Sequence, residues 1–275
     1  MKIWAKCLRR KNNMLLRILM VLITWLAGFN ASVAETESPY LFVLGVAQDA
    51  GYPQAGCYQQ HCMPGWADPR LERGATAVAL IDPQAKATYL FEATPHLPRQ
   101  LYKLEQQAKD FALSGVFLTH AHIGHYAGLM FFGHESMGAS NVPVFAMPRM
   151  MDYLGTNGPW SQLVAYNNIA LRPLAHNRTE NLSGLGVTPF LVPHRDEFSE
   201  TVGYSIQGPN KTALFIPDIK VTRETSGTQA LKESFDGQMP TLGRVILQVN
   251  NHLIDIADQF SATGIVSCRG EIEDS

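Results

Sequence analysis

The chain has 275 residues, 46% of them hydrophobic, with 22 basic against 24 acidic side chains and a formal net charge of −2. That size and apolar fraction suit one globular domain with a substantial core. No basic run follows Arg17, which argues against nucleic acid as a partner, because phosphate neutralisation draws on clustered Lys and Arg.

The first 34 residues read as a leader rather than as part of that domain. Lys2, Lys6, Arg9, Arg10, Lys11 and Arg17 form a basic stretch with no acid, and Ile18 to Phe29 is an apolar segment short for a membrane span. Ser32-Val33-Ala34 then offers small residues for cleavage. The pattern predicts a secretory signal peptide over 1–34 and a domain over 35–275. The mature protein is expected to be periplasmic or secreted, with no membrane partner once the leader is cleaved. Cys57, Cys62 and Cys268 remain in it. In an oxidising compartment Cys57 and Cys62 read as a disulfide or as free thiols. A structural metal held with His61 is the lesser alternative.

In chain order, Tyr40 to Val46 is an apolar strand running into the loop Ala47 to Pro53. Ala75–Ile81 and Ala87–Phe91 read as strands of a hairpin turned at Asp82-Pro83-Gln84. Leu97 to Phe111 has helical spacing, with Leu97, Leu101, Leu104 and Ala108 on one stripe. Gly115 to Thr119 is a strand, Tyr126 to Phe132 begins a helix, and Val142 to Ala146 is a strand. Met150–Leu154 and Trp160–Tyr166 are short helices, and Val187–Pro193, Val202–Gln207 and Thr212–Pro217 are further strands. This alternation argues for an α/β domain with a mixed sheet and helical cover.

The chemistry concentrates in Thr119-His120-Ala121-His122-Ile123-Gly124-His125. Histidines two apart on extended backbone share a side, and a third at the start of a helix can close on the same point. Neutral imidazole is the commonest protein ligand for zinc-like ions. His194 and Asp218 end the apolar runs Phe190–Pro193 and Leu214–Pro217, and strand ends that share one sheet edge bring their ligands together. Alone, His194 reads equally as a loop histidine and Asp218 as a cap or turn residue; beside the cluster the metal reading prevails. These imidazoles and the carboxylate could together hold a divalent ion. If Asp218 stays loose, a position is left for water, whose pKa the ion lowers to about 7. Asp49 and Asp196 are candidate proton acceptors, although each also suits a turn.

The ordered set His120-x-His122-x-x-His125, His194 and Asp218 resembles the ligand motifs of the metallo-β-lactamase fold superfamily. Leu44-Gly45-Val46-Ala47-Gln48-Asp49-Ala50-Gly51-Tyr52-Pro53, Leu118-Thr119-His120 and Pro193-His194-Arg195-Asp196-Glu197 are most similar to the branch containing pyrroloquinoline quinone biosynthesis protein B. The resemblance implies an αββα sandwich, two mixed sheets packed face to face between helices. It assigns His120, His122 and His194 to one metal, Asp218 to the bridging position and His125 to a second metal. Two departures stand out. Gly124 replaces the usual aspartate of the first motif, so a second ion is expected to be weak or absent. After about residue 219 the resemblance fades, leaving a divergent or incomplete C-terminal part in which His252 has no secure counterpart.

The function this implies is an exported metal-dependent hydrolase, with metal-bound hydroxide attacking an ester, amide or phosphoester of a small-molecule substrate. Zinc is the first expectation for the ion, with iron or manganese as alternatives. A second reading is an iron-dependent oxidative enzyme related to quinone cofactor biosynthesis. A third is a catalytically degraded protein that only binds a metal or ligand.

Overall fold

The computed structural model describes residues 38–48 and 50–220 and, beyond them, only the backbone of 246–249, 252–255, 265–267 and 270–271. The leader, Asp49 and Cys268 lie outside the described residues. The first sheet holds β1 (Tyr40–Gly45), β2 (Ala77–Asp82), β3 (Ala87–Phe91), β4 (Ala112–Phe117), β5 (Val142–Ala146) and β6 (Ile169–Pro173) in sequential order. β1, β2 and β3 pair antiparallel, and β3 to β6 pair parallel. The hairpin turn is where the sequence places it: the Asp82 carboxylate accepts from the backbone N–H groups of Gln84 and Ala85, an Asx-type turn.

The second sheet contains β7 (Glu180–Leu182), β8 (Leu185–Leu191), β9 (Val202–Gln207) and β10 (Thr212–Ile216), all antiparallel. The short strands β11 (Ile219–Lys220), β12 (Ile246–Val249), β13 (His252–Asp255), β14 (Ile265–Ser267) and β15 (Gly270–Glu271) follow. β14 pairs parallel with β10, so the C-terminal part contributes a strand to this sheet. β6 and β7 escape sequence reading because Ile169-Ala170-Leu171-Arg172-Pro173 and Glu180-Asn181-Leu182 show neither a sustained apolar run nor clear alternation.

Side-chain alternation explains why the layers stack. Every residue of β2 is buried. Its Ala77, Ala79 and Ile81 join the core beneath the helices, while Val78 and Leu80 join the core between the sheets. A strand covered on both faces reads as a continuous apolar run. Between the sheets, Phe117 stacks on Phe91 and Phe145 at centroid distances of 5.0 and 4.4 Å. Tyr204 meets both Phe91 and Phe117 edge-on from β9. The Tyr204 hydroxyl donates to the carbonyl of Leu118, tying the second sheet to the end of β4.

Among the described residues the helices are α1 (Met63–Ala67), α2 (Leu97–Gln107), α3 (Ile123–Tyr126), α4 (Pro148–Thr156) and α5 (Trp160–Ala165). α2 stops short of the expected Phe111: Ala108 leaves helical geometry and Asp110 takes a φ of 65°, turning the chain into β4. The helix expected from Tyr126 is a 3-10 segment, Ala127–Phe132. The N–H of Gly128 donates to the carbonyl of Ala93 at 2.7 Å instead of to its own helix. A Cβ at that position would stand 2.1 Å from the Thr94 carbonyl oxygen, so only glycine permits the approach. Among the described residues no helix is long and apolar enough to cross a membrane.

Candidate metal centre

β1, β3 and β4 run in one direction, and so do β8 and β10. Segments leaving β4, β8 and β10 carry His120, His194 and Asp218. Val202 N–H donates to the Thr119 carbonyl at 3.2 Å, which joins the edges of the two sheets. One atom each from His120, His122, His194 and Asp218 lies within 4.8 Å of the other three. His122 Nδ1 is 2.9 Å from His120 Nε2 and 3.1 Å from His194 Nε2. Asp218 Oδ2 is 3.4 Å from Nε2 of both His120 and His194. The side chains of His120 and His194 are each 1% exposed and that of Asp218 7%, whereas His122 is 22% exposed. The centre therefore opens to solvent on the His122 side.

The electrostatics match a cation site. Burial first, and the neighbouring His125 second, hold the His120 imidazole down to about 3, so it is neutral at physiological pH. Burial alone would raise Asp218; hydrogen bonds from His120 and His125 outweigh it and keep the carboxyl below its usual range. Ring nitrogens and a carboxylate oxygen thus converge on one point, with the His120 imidazole neutral and Asp218 ionised. Such a set is stabilised by a shared positive ion and fits the three-imidazole, one-carboxylate ligation of divalent metals.

A surrounding shell fixes the ligands. His122 Nε2–H donates to Glu197 Oε2 at 2.9 Å, which turns the Nδ1 lone pair into the centre. This bond holds the Glu197 carboxyl below its usual range. Arg149 straps the Glu197 loop: its guanidinium donates to the carbonyls of Asp196, Glu197 and Ser199, and its N–H donates to the Glu200 carboxylate. Ser199 Oγ accepts from Ala121 N–H at 2.8 Å. On the buried side, Glu92 Oε1 accepts from Thr119 N–H at 3.2 Å, and Oε2 lies 3.1 Å from His125 Nδ1. Glu92 is fully buried at a φ of 83°, a backbone cost of about 1–3 kcal/mol that the surrounding bonds must sustain.

The structure thus brings together four of the residues selected from sequence. His125 sits beside them, its Nε2 3.3 Å from Asp218 Oδ2, on the side where Gly124 offers no ligand. Asp196 is outside the group; its Oδ1 accepts from the Thr201 hydroxyl at 2.7 Å and closes its own loop. Cys57 and Cys62 are bridged, with Cα atoms 6.0 Å apart, the first of the two readings of that pair. Sequence reasoning missed Glu92, Glu197, Arg149 and Ser199. Glu92 was within reach, because it ends the run Tyr89-Leu90-Phe91 just as His194 and Asp218 end theirs. Arg149 carried no such signal.

The sequence profile of the beta-lactamase superfamily domain matches residues 80–237. A search of curated proteins returned no match. Among solved structures, the chain is similar to Zn2+-bound PqqB from Methylobacterium extorquens, at 26% identity and a TM-score of 0.55, covering 67% of each chain. It is also similar to a diphosphatase from the PhnP family, at 17% identity and a TM-score of 0.52, covering 85% of this chain and 87% of that one. With the profile spanning more than half of its length and two mixed sheets arranged as in these structures, the chain belongs to the beta-lactamase superfamily and has the metallo-β-lactamase fold.

Proposed function

We propose that the protein is a metal-dependent hydrolase acting on an ester, amide or phosphoester of a small molecule. The observation that carries this reading is the convergence of His120, His122, His194 and Asp218 within 4.8 Å on a side that His122 leaves open. These four residues would hold one divalent ion, zinc before iron or manganese, and the Zn2+ bound by the PqqB structure supports that order. Such an ion, when bound, polarises a substrate oxygen and acidifies water. Glu197 orients His122, and Glu92 positions His125. With Gly124 beside His125, a second ion would have Asp218 and His125 and little else.

Elemental analysis followed by turnover of p-nitrophenyl acetate and bis(p-nitrophenyl) phosphate tests the proposal. About one metal per chain is expected, with turnover lost on chelation and restored by zinc. Protein that retains no metal, or metal-loaded protein inert toward both substrates, would refute it. The likeness to PqqB favours one further reading, oxidative chemistry on a quinone precursor; bound iron with oxygen consumption would select it. We also propose export, on the strength of the leader over 1–34. N-terminal sequencing of the mature protein should begin at Glu35.

A further inference from the structure

A cavity of about 650 Å³ opens between β1, the loop around Tyr52, the segment Pro69 to Gly74 and α2. Its volume lies in the range of small-molecule sites, and none of the four metal-facing residues lines it. Its wall carries Arg70, Arg73, Arg99 and Lys103 against one carboxylate, Glu72. No basic run after Arg17 announces this patch, because the fold assembles it from two separate segments.

The four cations differ in how they are compensated. Arg70 is paired with Asp68 at 2.7 Å and Arg99 with Glu72 at 2.6 Å. Arg73 Nη1 donates to the carbonyls of Arg70 and Glu72 at 3.0 and 2.9 Å. Lys103 Nζ donates to the Leu44 carbonyl at 3.4 Å. Carbonyls occupy donors but do not neutralise charge, and among the described residues neither Arg73 nor Lys103 has a carboxylate within ion-pair distance. Trp66 supplies a flat surface on the same wall. It is 46% exposed, and its indole N–H is committed to the Cys57 carbonyl at 2.7 Å, which fixes the ring. The bridge from Cys57 to Cys62 pins that loop in turn.

We propose that this cavity binds a small aromatic anion, with Arg73 and Lys103 taking a carboxylate or phosphate group and Trp66 packing against its ring. A guanidinium fork and an ammonium group on the wall of one cavity suit either oxyanion, and an oriented indole favours a planar body. The site is separate from the metal centre and does not depend on the hydrolase reading.

Isothermal titration of the full chain with phenyl phosphate, benzoate and phenol tests it. Saturable binding of at least one of the two anions is expected, and which one binds separates phosphate from carboxylate recognition. Phenol should bind at least about tenfold more weakly, since a hydrogen bond to a charged group contributes that much or more. Replacing Arg73→Ala and Lys103→Ala together should weaken the anion by about tenfold or more, and Trp66→Ala should weaken it as well. His122→Ala should leave it unchanged. If the alanine pair does not fold, Arg73→Gln with Lys103→Gln removes the same charges at similar bulk. The proposal fails if neither anion saturates below about 10 mM. It also fails if binding survives loss of both cations, or if His122→Ala abolishes it and so assigns the anion to the metal centre.

Discussion

Removing the Glu197 carboxylate should weaken metal binding without removing a ligand. His122 reaches the centre through Nδ1, and its Nε2–H bond to Glu197, at 2.9 Å, fixes that orientation. A hydrogen bond to a charged acceptor contributes about 1.5–3 kcal/mol when sheltered. The Glu197 side chain is 46% exposed, so solvent screening brings the figure to the bottom of that range. About 1.4 kcal/mol corresponds to about a tenfold rise in the metal dissociation constant, the low end of what outer-shell partners of metal-bound histidines contribute. Competition for zinc against a chromogenic chelator measures this directly. Glu197→Ala should show the full loss. Glu197→Gln keeps an acceptor for Nε2–H but not the charge, and should fall between alanine and the parent. Equal zinc affinity in all three proteins would refute the orienting role, and so would a glutamine variant as weak as alanine.

Three further outcomes are expected. His120→Ala removes a buried nitrogen from the set of four and should lower zinc stoichiometry from about one per chain to near zero on dialysis, read by elemental analysis; retention of one tightly held ion would contradict the assignment. The metal-free protein should lose stability in mild acid. His120 titrates at about 3 when folded and at about 6.5 when unfolded, so between these values the unfolded chain binds more protons. The contribution is complete above about pH 6.5 and falls by about 2 kcal/mol at pH 5, with Asp218 adding to the loss only below about pH 4. Urea titrations at pH 7 and pH 5 with identical midpoints would count against it. Gly128→Ala places a methyl group 2.1 Å from the Thr94 carbonyl oxygen and should destabilise the fold by about 3 kcal/mol, seen as a lowered urea midpoint at unchanged slope.

Much of the site could be read along the chain because three of the four ligand candidates follow apolar strands. His120, His194 and Asp218 follow Val116-Phe117-Leu118, Phe190-Leu191-Val192 and Leu214-Phe215-Ile216, and side-chain period and hydropathy locate such ends without coordinates. The same logic yielded β3, β5 and β9 at their observed bounds. It failed where local preference lost to a tertiary contact. The segment after Tyr126 has helical composition, yet Gly128 gives its N–H to Ala93, and the helix tightens into a 3-10 turn.

Sequence alone therefore determined which residues could bind a metal and that strands would deliver them, since both follow from residue chemistry and short-range periodicity. The tertiary structure decided the supporting shell: that Arg149 holds the loop of Glu197, that Glu197 sets the tautomer of His122, and that Glu92 lies beneath His125. It also gathered Arg70, Arg73, Arg99 and Lys103 around one cavity. These relations join residues far apart in the chain, through hydrogen bonds and charges whose partners no local pattern encodes.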